Sequence, residues 1–158
     1  MNRIMIFLLT VTLPSCMTYP CNKGFINPAF VGFSPGDIDT IILRAYKPND
    51  NYLHLVDTII VQNAGTNIYT TSNDTTVVYI NINSSTNTLV IPGFDWQIYI
   101  PAKNRTVMIS NIITTPTKGG HQCRNPINSF TQDGQAIVPK YVQTNQFYTS
   151  GYMAYIQN

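Results

Sequence analysis

Glutamate is missing altogether: all seven acids of the 158-residue chain are aspartates, and charged side chains make up only 10% of it. Leucine becomes rare after Leu13. Both are good helix formers, so their scarcity argues against an α-helical fold, and no stretch of ten residues shows a convincing helical period. No basic run occurs. Once Arg3 is set aside, eight Lys and Arg stand against seven acids. Nucleic acid is thereby excluded as a partner, since backbone binding needs clustered cations. There is also no apolar run of membrane-spanning length. The longest, Ile4 to Leu13, covers half of the roughly 20 residues a helix needs to cross. A P-loop, a dinucleotide fingerprint and a calcium-loop pattern are all absent.

What remains is rich in Ile, Val, Thr, Tyr and Asn, which points to an all-β chain. Strands are expected near 29–34, 39–47, 53–62, 77–83, 87–91, 96–101, 105–114, 128–132, 135–138 and 151–156. Turn clusters such as Pro35-Gly36, Pro48-Asn49-Asp50-Asn51, Asn63-Ala64-Gly65 and Ser72-Asn73-Asp74 separate them. Asp133-Gly134 is the strongest hairpin signal, because a two-residue type I′ turn needs positive φ at both central positions. Val78, Ile80 and Ile82 alternate with Tyr79, Asn81 and Asn83, and Trp96, Ile98 and Ile100 alternate with Gln97 and Tyr99. One face of each strand is therefore apolar. Short strands at this spacing predict a single antiparallel β-sandwich, immunoglobulin-like or transthyretin-like. Asp39-Thr40-Ile41-Ile42-Leu43 and Asp57-Thr58-Ile59-Ile60-Val61 are near copies. A single duplication falls short of a repeat fold, so they read as neighbouring strands meeting one core demand.

The amino-terminal segment has its own order: Arg3, the apolar run, then Leu13-Pro14-Ser15-Cys16. This is the layout of a secretory signal peptide. An aliphatic residue three before a cysteine and a small residue just before it resemble a bacterial lipobox. The resemblance implies cleavage before Cys16 and diacylglycerol on its sulfur, usually with a further acyl chain on the new amino terminus. Several chains are needed for a stable anchor, because a single myristoyl chain binds membranes only marginally. The rest of the chain resembles the small Asn/Thr/Ile-rich lipoproteins of Bacteroidota, across its whole length, by composition and layout. Lipidation of Cys16 also accounts for an odd cysteine count, leaving Cys21 and Cys123 free to close a disulfide in an oxidising compartment. The division expected is a signal peptide over 1–15, a lipidated tether over 16–28 and a sandwich over 29–158. Many surface-exposed lipoproteins of that group carry acids just after the lipid cysteine. Here Met-Thr-Tyr-Pro-Cys-Asn-Lys follows, which favours a position at the outer or inner membrane facing the periplasm.

The motifs that could carry chemistry also fit structural roles. Gly32-Phe33-Ser34-Pro35-Gly36 matches the G-x-S-x-G nucleophile elbow, but the residue after the serine must donate its backbone N–H to an oxyanion, and Pro35 has none. It reads as a turn. His54 and His121 lack paired zinc-ligand spacing, so His54 reads as a sheet-surface side chain and His121 as a loop residue. Asp37 and Asp39 read as turn caps, not an acid/base pair. No cofactor is expected. Aromatics are the best binding feature: Tyr46, Tyr79 and Tyr99 fall on the polar faces of strands, and Phe147, Tyr148, Tyr152 and Tyr155 cluster near the end. Exposed rings stack on sugars or fill partner pockets, though cross-strand aromatic pairs also stabilise sheets. The functional expectation is a non-catalytic, lipid-anchored binding module of the cell envelope, its partner an envelope protein or glycan. A structural accessory of an envelope assembly is the alternative, and a small hydrolase or metal protein ranks last.

Overall fold

A computed structural model describes residues 24–62, 68–71, 75–78, 90–115, 126–142 and 151–158. Eleven strands run in chain order: β1 Ile26–Val31, β2 Ile41–Tyr46, β3 Leu55–Val61, β4 Ile68–Thr71, β5 Thr75–Val78, β6 Asp95–Ile100, β7 Arg105–Thr114, β8 Ile127–Gln132, β9 Gln135–Ile137, β10 Tyr141–Val142 and β11 Gly151–Gln157. They form a five-stranded sheet, β10-β11-β1-β5-β4, and a six-stranded sheet, β3-β2-β6-β7-β8-β9. The all-β sandwich read from the sequence is the fold.

Alternation builds the core. Leu43 of β2, Ile98 of β6, Ile109 of β7 and Phe130 of β8 are buried on the inner face of the larger sheet. They share one cluster with Ile26, Phe30, Ala154 and Ile156 from β1 and β11 opposite. Burying side chains of this size stabilises by roughly 1.5–3 kcal/mol each, which is what holds the layers together. Trp96 completes it, its ring buried and its indole N–H donating to the Ile91 carbonyl at 2.9 Å. Arg105 donates to the Gln157 carbonyl and Gln132 to that of Tyr155, so β7 and β8 are tied to β11 across the layers.

Two features depart from the expected pattern. One pair is parallel: β1 runs alongside β11, with Ile26 opposite Tyr152 and Val31 opposite Gln157. The sheets are thus mostly antiparallel, with the first and last described strands side by side. β1 also begins at Ile26, not at 29, so Pro28 lies in the sandwich and not in the tether. A proline lacks the N–H for a ladder. Ile26 donates to Val90 at 2.9 Å, and β5 pairs only from Ala29 to Val31. Pro28 shares the parity of Ile26, so its missing donor falls in the gap between the two pairings.

The β8–β9 connection has Asp133 at φ 48° and Gly134 at φ 82°, the two positive values the hairpin reading required. The duplicated segments are neighbours in space, β2 against β3, with Leu43 opposite Ile59 and Ile41 opposite Val61. Their burial differs. β2 alternates buried and half-buried residues, whereas β3, at the sheet edge, is mostly exposed. Ile59 and Val61 of β3 nonetheless pack against the core cluster, so both copies meet the same core demand, β2 the more fully.

Candidate functional site

Polar positions of β2 and β6 line the outer face of the six-stranded sheet, between the buried Leu43, Ala45, Trp96 and Ile98. Tyr46 and Tyr99 both lie there, and both are half-buried. The Tyr46 hydroxyl donates to Gln97 Oε1 at 3.0 Å, and the Tyr99 hydroxyl donates to Asn104 Oδ1 at 3.2 Å. Between them Arg44 places its guanidinium 5.4 Å from the centre of the Tyr99 ring. Such stacking contributes about 0.5–1 kcal/mol at an exposed site. Among the described residues no carboxylate pairs with Arg44. Both tyrosines thus brace the sheet while leaving ring surface toward solvent.

The face ends at a loop, 47–54, that the sequence placed as a turn without further detail. Asn49, Asn51 and Tyr52 adopt positive φ of 60°, 56° and 60°. Asparagine tolerates this conformation, but tyrosine pays a steric penalty of order 1–3 kcal/mol, which the surroundings must offset. They do so through Asp50, whose carboxylate accepts the backbone N–H groups of Leu53 (3.3 Å) and His54 (3.1 Å) and lies 2.9 Å from His54 Nδ1. Desolvation, the largest single influence, pushes the Asp50 carboxyl up, but the bonds from the His54 side chain, the His54 backbone and Leu53 together outweigh it and hold the group below its usual range. The loop is also tied to β6, since Asn49 donates its backbone N–H to Asp95 Oδ2 at 2.9 Å.

That loop brings Tyr52 against Tyr46, ring centres 5.4 Å apart and planes at 77°, the edge-to-face arrangement that aromatic pairs favour. Burial pushes the Tyr52 phenol above the ordinary tyrosine value, Asp95 and Asp133 add to the effect, and a hydrogen bond with Ser110 opposes it. Beside the pair opens a cleft of about 300 Å³, walled by Asn49, Gly93, Phe94, Asp95, Asn111 and Ile112 among others. Asn49, Gly93 and Asn111 all carry positive φ, and Asp95 is almost fully buried. Left-handed backbone concentrated around one concavity is a feature of binding sites. The cleft combines an apolar wall, carboxamides and one carboxylate, which suits a ligand carrying hydroxyl or amide groups.

The other residues singled out in the sequence fall elsewhere. Ser34 precedes a 3-10 turn, Pro35–Ile38, and Asp37 accepts the Ser34 N–H at 2.9 Å while lying 3.3 Å from Lys103 Nζ. Those bonds from Ser34 hold the Asp37 carboxyl low against desolvation, with Lys103 adding a weaker pull in the same direction. The elbow motif is therefore a capped turn, as its proline required. His54 is a surface residue of the loop. Tyr152 packs edge-on against Tyr141 at 5.4 Å, away from the cleft. Cys16, Cys21, Cys123, Tyr79, His121, Phe147 and Tyr148 lie outside the described residues. Among the described residues no group of three His, Cys, Asp or Glu could hold a metal ion, and no helix is long and apolar enough to cross a membrane.

No family model matches the chain, and neither the curated proteins nor the solved structures hold a match. The site is thus read from its own residues. Tyr52, Asp95 and Asn111 were missed in the sequence, and only the Asn-Asp-Asn cluster of the loop signalled left-handed backbone in advance.

Proposed function

We propose that this chain is a non-catalytic binding module of the bacterial cell envelope, cut before Cys16, lipid-anchored there to the outer or inner membrane, and facing the periplasm. The observation that carries the binding role is the Tyr46–Tyr52 pair standing beside the cleft at Asp95, held by a loop whose backbone strain Asp50 offsets. A rigid aromatic pair next to a polar concavity suits an envelope protein or a glycan. The lipobox-like Leu13-Pro14-Ser15-Cys16 supports the anchor, and a disulfide between Cys21 and Cys123 belongs to the same reading.

Affinity capture from detergent-solubilised envelope tests the binding role. A specific protein or glycan should be recovered by the wild-type chain and lost with Tyr46→Ala or Tyr52→Ala at unchanged folding. Equal recovery by all three chains would remove the site. Mass spectrometry of the mature amino terminus tests the anchor separately: acylated Cys16 is expected, and an unmodified Cys16 or a start elsewhere overturns it.

A further inference from the structure

The most exposed apolar surface lies away from the cleft. Of the eight large hydrophobic residues most exposed to solvent among the described residues, four fall between 53 and 60: Leu53, Leu55, Val56 and Ile60, each at least 50% exposed. They belong to β3 and the residues leading into it, at the end of the six-stranded sheet. Edge strands present unpaired backbone groups, and natural proteins keep such edges short or guard them with Lys, Pro or a bulge. The other described edges follow this rule. β10 has two residues, β9 has three and is followed closely by Pro139, and β4 has four. β3 has seven, with no Lys or Pro, and its one irregularity is a bulge where the register shifts between Ala45 and Tyr46. From Asp57 to Val61 it is regular.

The direction of the free groups follows from one hydrogen bond. The Thr58 N–H donates to Asp57 Oδ1 at 2.8 Å, and so is not spent on β2. In an antiparallel ladder donors alternate, so Thr58 and Ile60 turn their N–H and C=O groups to the open side while Asp57, Ile59 and Val61 bond to β2. We infer that β3 pairs antiparallel with β3 of a second copy of this chain, across a two-fold axis at Ile59, joining two six-stranded sheets.

Within the regular part of β3, Asp57 to Val61, the sequence of the edge favours that occupant and that register. Residues facing each other across an antiparallel pair share a side of the sheet, so a two-fold axis must pass beside a residue that meets itself. An axis at Asp57 would oppose two carboxylates. An axis at Thr58 would draw the bulged Val56 into the ladder. An axis at Ile59 sets Thr58 of each copy opposite Ile60 of the other, twice, so that all the outward backbone groups of both residues are satisfied in about four hydrogen bonds. Asp57 then faces Val61, and no like charges meet. An unrelated extended peptide would need side-chain pockets flanking the edge for recognition. Among the described residues, neither the cleft at Asp95 nor the pocket beside Tyr141 borders β3. The Asp57 carboxylate covers the Thr58 N–H in a single copy and must yield it to the incoming Ile60 carbonyl, which keeps the association reversible.

The test is the mass of the full chain in mild detergent, by light scattering corrected for bound detergent, from about 1 to 100 μM, the span of a micromolar association. The wild type should rise from one copy to two and stop. Thr58→Pro removes an outward N–H without touching the β2 ladder, and Ile60→Lys places a charge on the exposed edge. Both should remain single copies across the range, with thermal unfolding close to wild type. A wild type that stays single at the top of the range overturns the inference. So does growth beyond two copies, or a dimer that survives whichever of the two variants folds.

Discussion

The two edges of the six-stranded sheet end differently. At β9 the chain turns on Asp133-Gly134, whose backbone fits the turn, and stops after three residues just ahead of Pro139. Asp133 closes that corner, its carboxylate accepting the Met108 N–H at 2.8 Å. At β3 the strand runs for seven residues with apolar side chains in solvent, and among the described residues only Asp57 covers an outward donor. One edge is finished within the chain and the other is left for something else. A sheet's stability does not require both to be closed, because the burial that holds the sandwich sits in its middle strands.

Four substitutions press on that comparison, from the largest effect to the smallest. Phe130→Ala removes a ring with 1% exposure from β8, beside the finished edge, and should lower unfolding free energy by about 3–5 kcal/mol in chemical denaturation. Loss of less than about 1 kcal/mol would place the core elsewhere. Gly134→Ala forces a Cβ into a turn position at φ 82° and should cost roughly 1–2 kcal/mol, read in the same way. Ile60→Lys, at the open edge, should change single-copy stability by no more than about 0.5 kcal/mol, since the side chain is 58% exposed. A loss as large as that of Phe130→Ala would mean that the Ile60 side chain is packed within one chain.

The smallest effect concerns the loop that leads into β3. The Asp50 carboxyl sits below its ordinary value of 3.8 in the folded chain, so its contribution is complete above that value and lost as pH falls through 3.8 and then through the lowered folded value. The backbone resonance of Leu53 should therefore shift on acidification below pH 5, about where the carboxylate protonates. Asp50→Asn should flatten that transition. A transition unchanged in the variant would assign it to another group.

Much of this was legible in the sequence, for physical reasons that also explain the gaps. Trp96, Ile98 and Ile100 alternate cleanly with Gln97 and Tyr99, and they are buried and half-buried in that order. The Asp133-Gly134 hairpin was legible because so few residue pairs accept two positive φ values. β4 was not: Ile68-Tyr69-Thr70-Thr71 has no apolar alternation and gains its place by pairing with β5. β10 is two residues long, too short to carry a period. For β3 the alternation gave the strand but not its exposure, because a period of two says which side chains share a face and nothing about what covers it. The same limit applied to the site. Tyr46 and Tyr99 could be assigned to one kind of face from parity, whereas Tyr52 reaches Tyr46 only through a left-handed loop that no periodicity encodes.

Residue-resolved hydrogen exchange across a dilution series tests the contrast between the edges most directly. The amides of Thr58 and Ile60 should exchange rapidly when the chain is dilute and slow markedly as concentration rises, while those of Ile98 and Ile109 stay protected throughout and that of Ala136 in β9 keeps one rate. Amides of Thr58 and Ile60 that exchange at the same rate at every concentration would contradict the account, whether fast or slow.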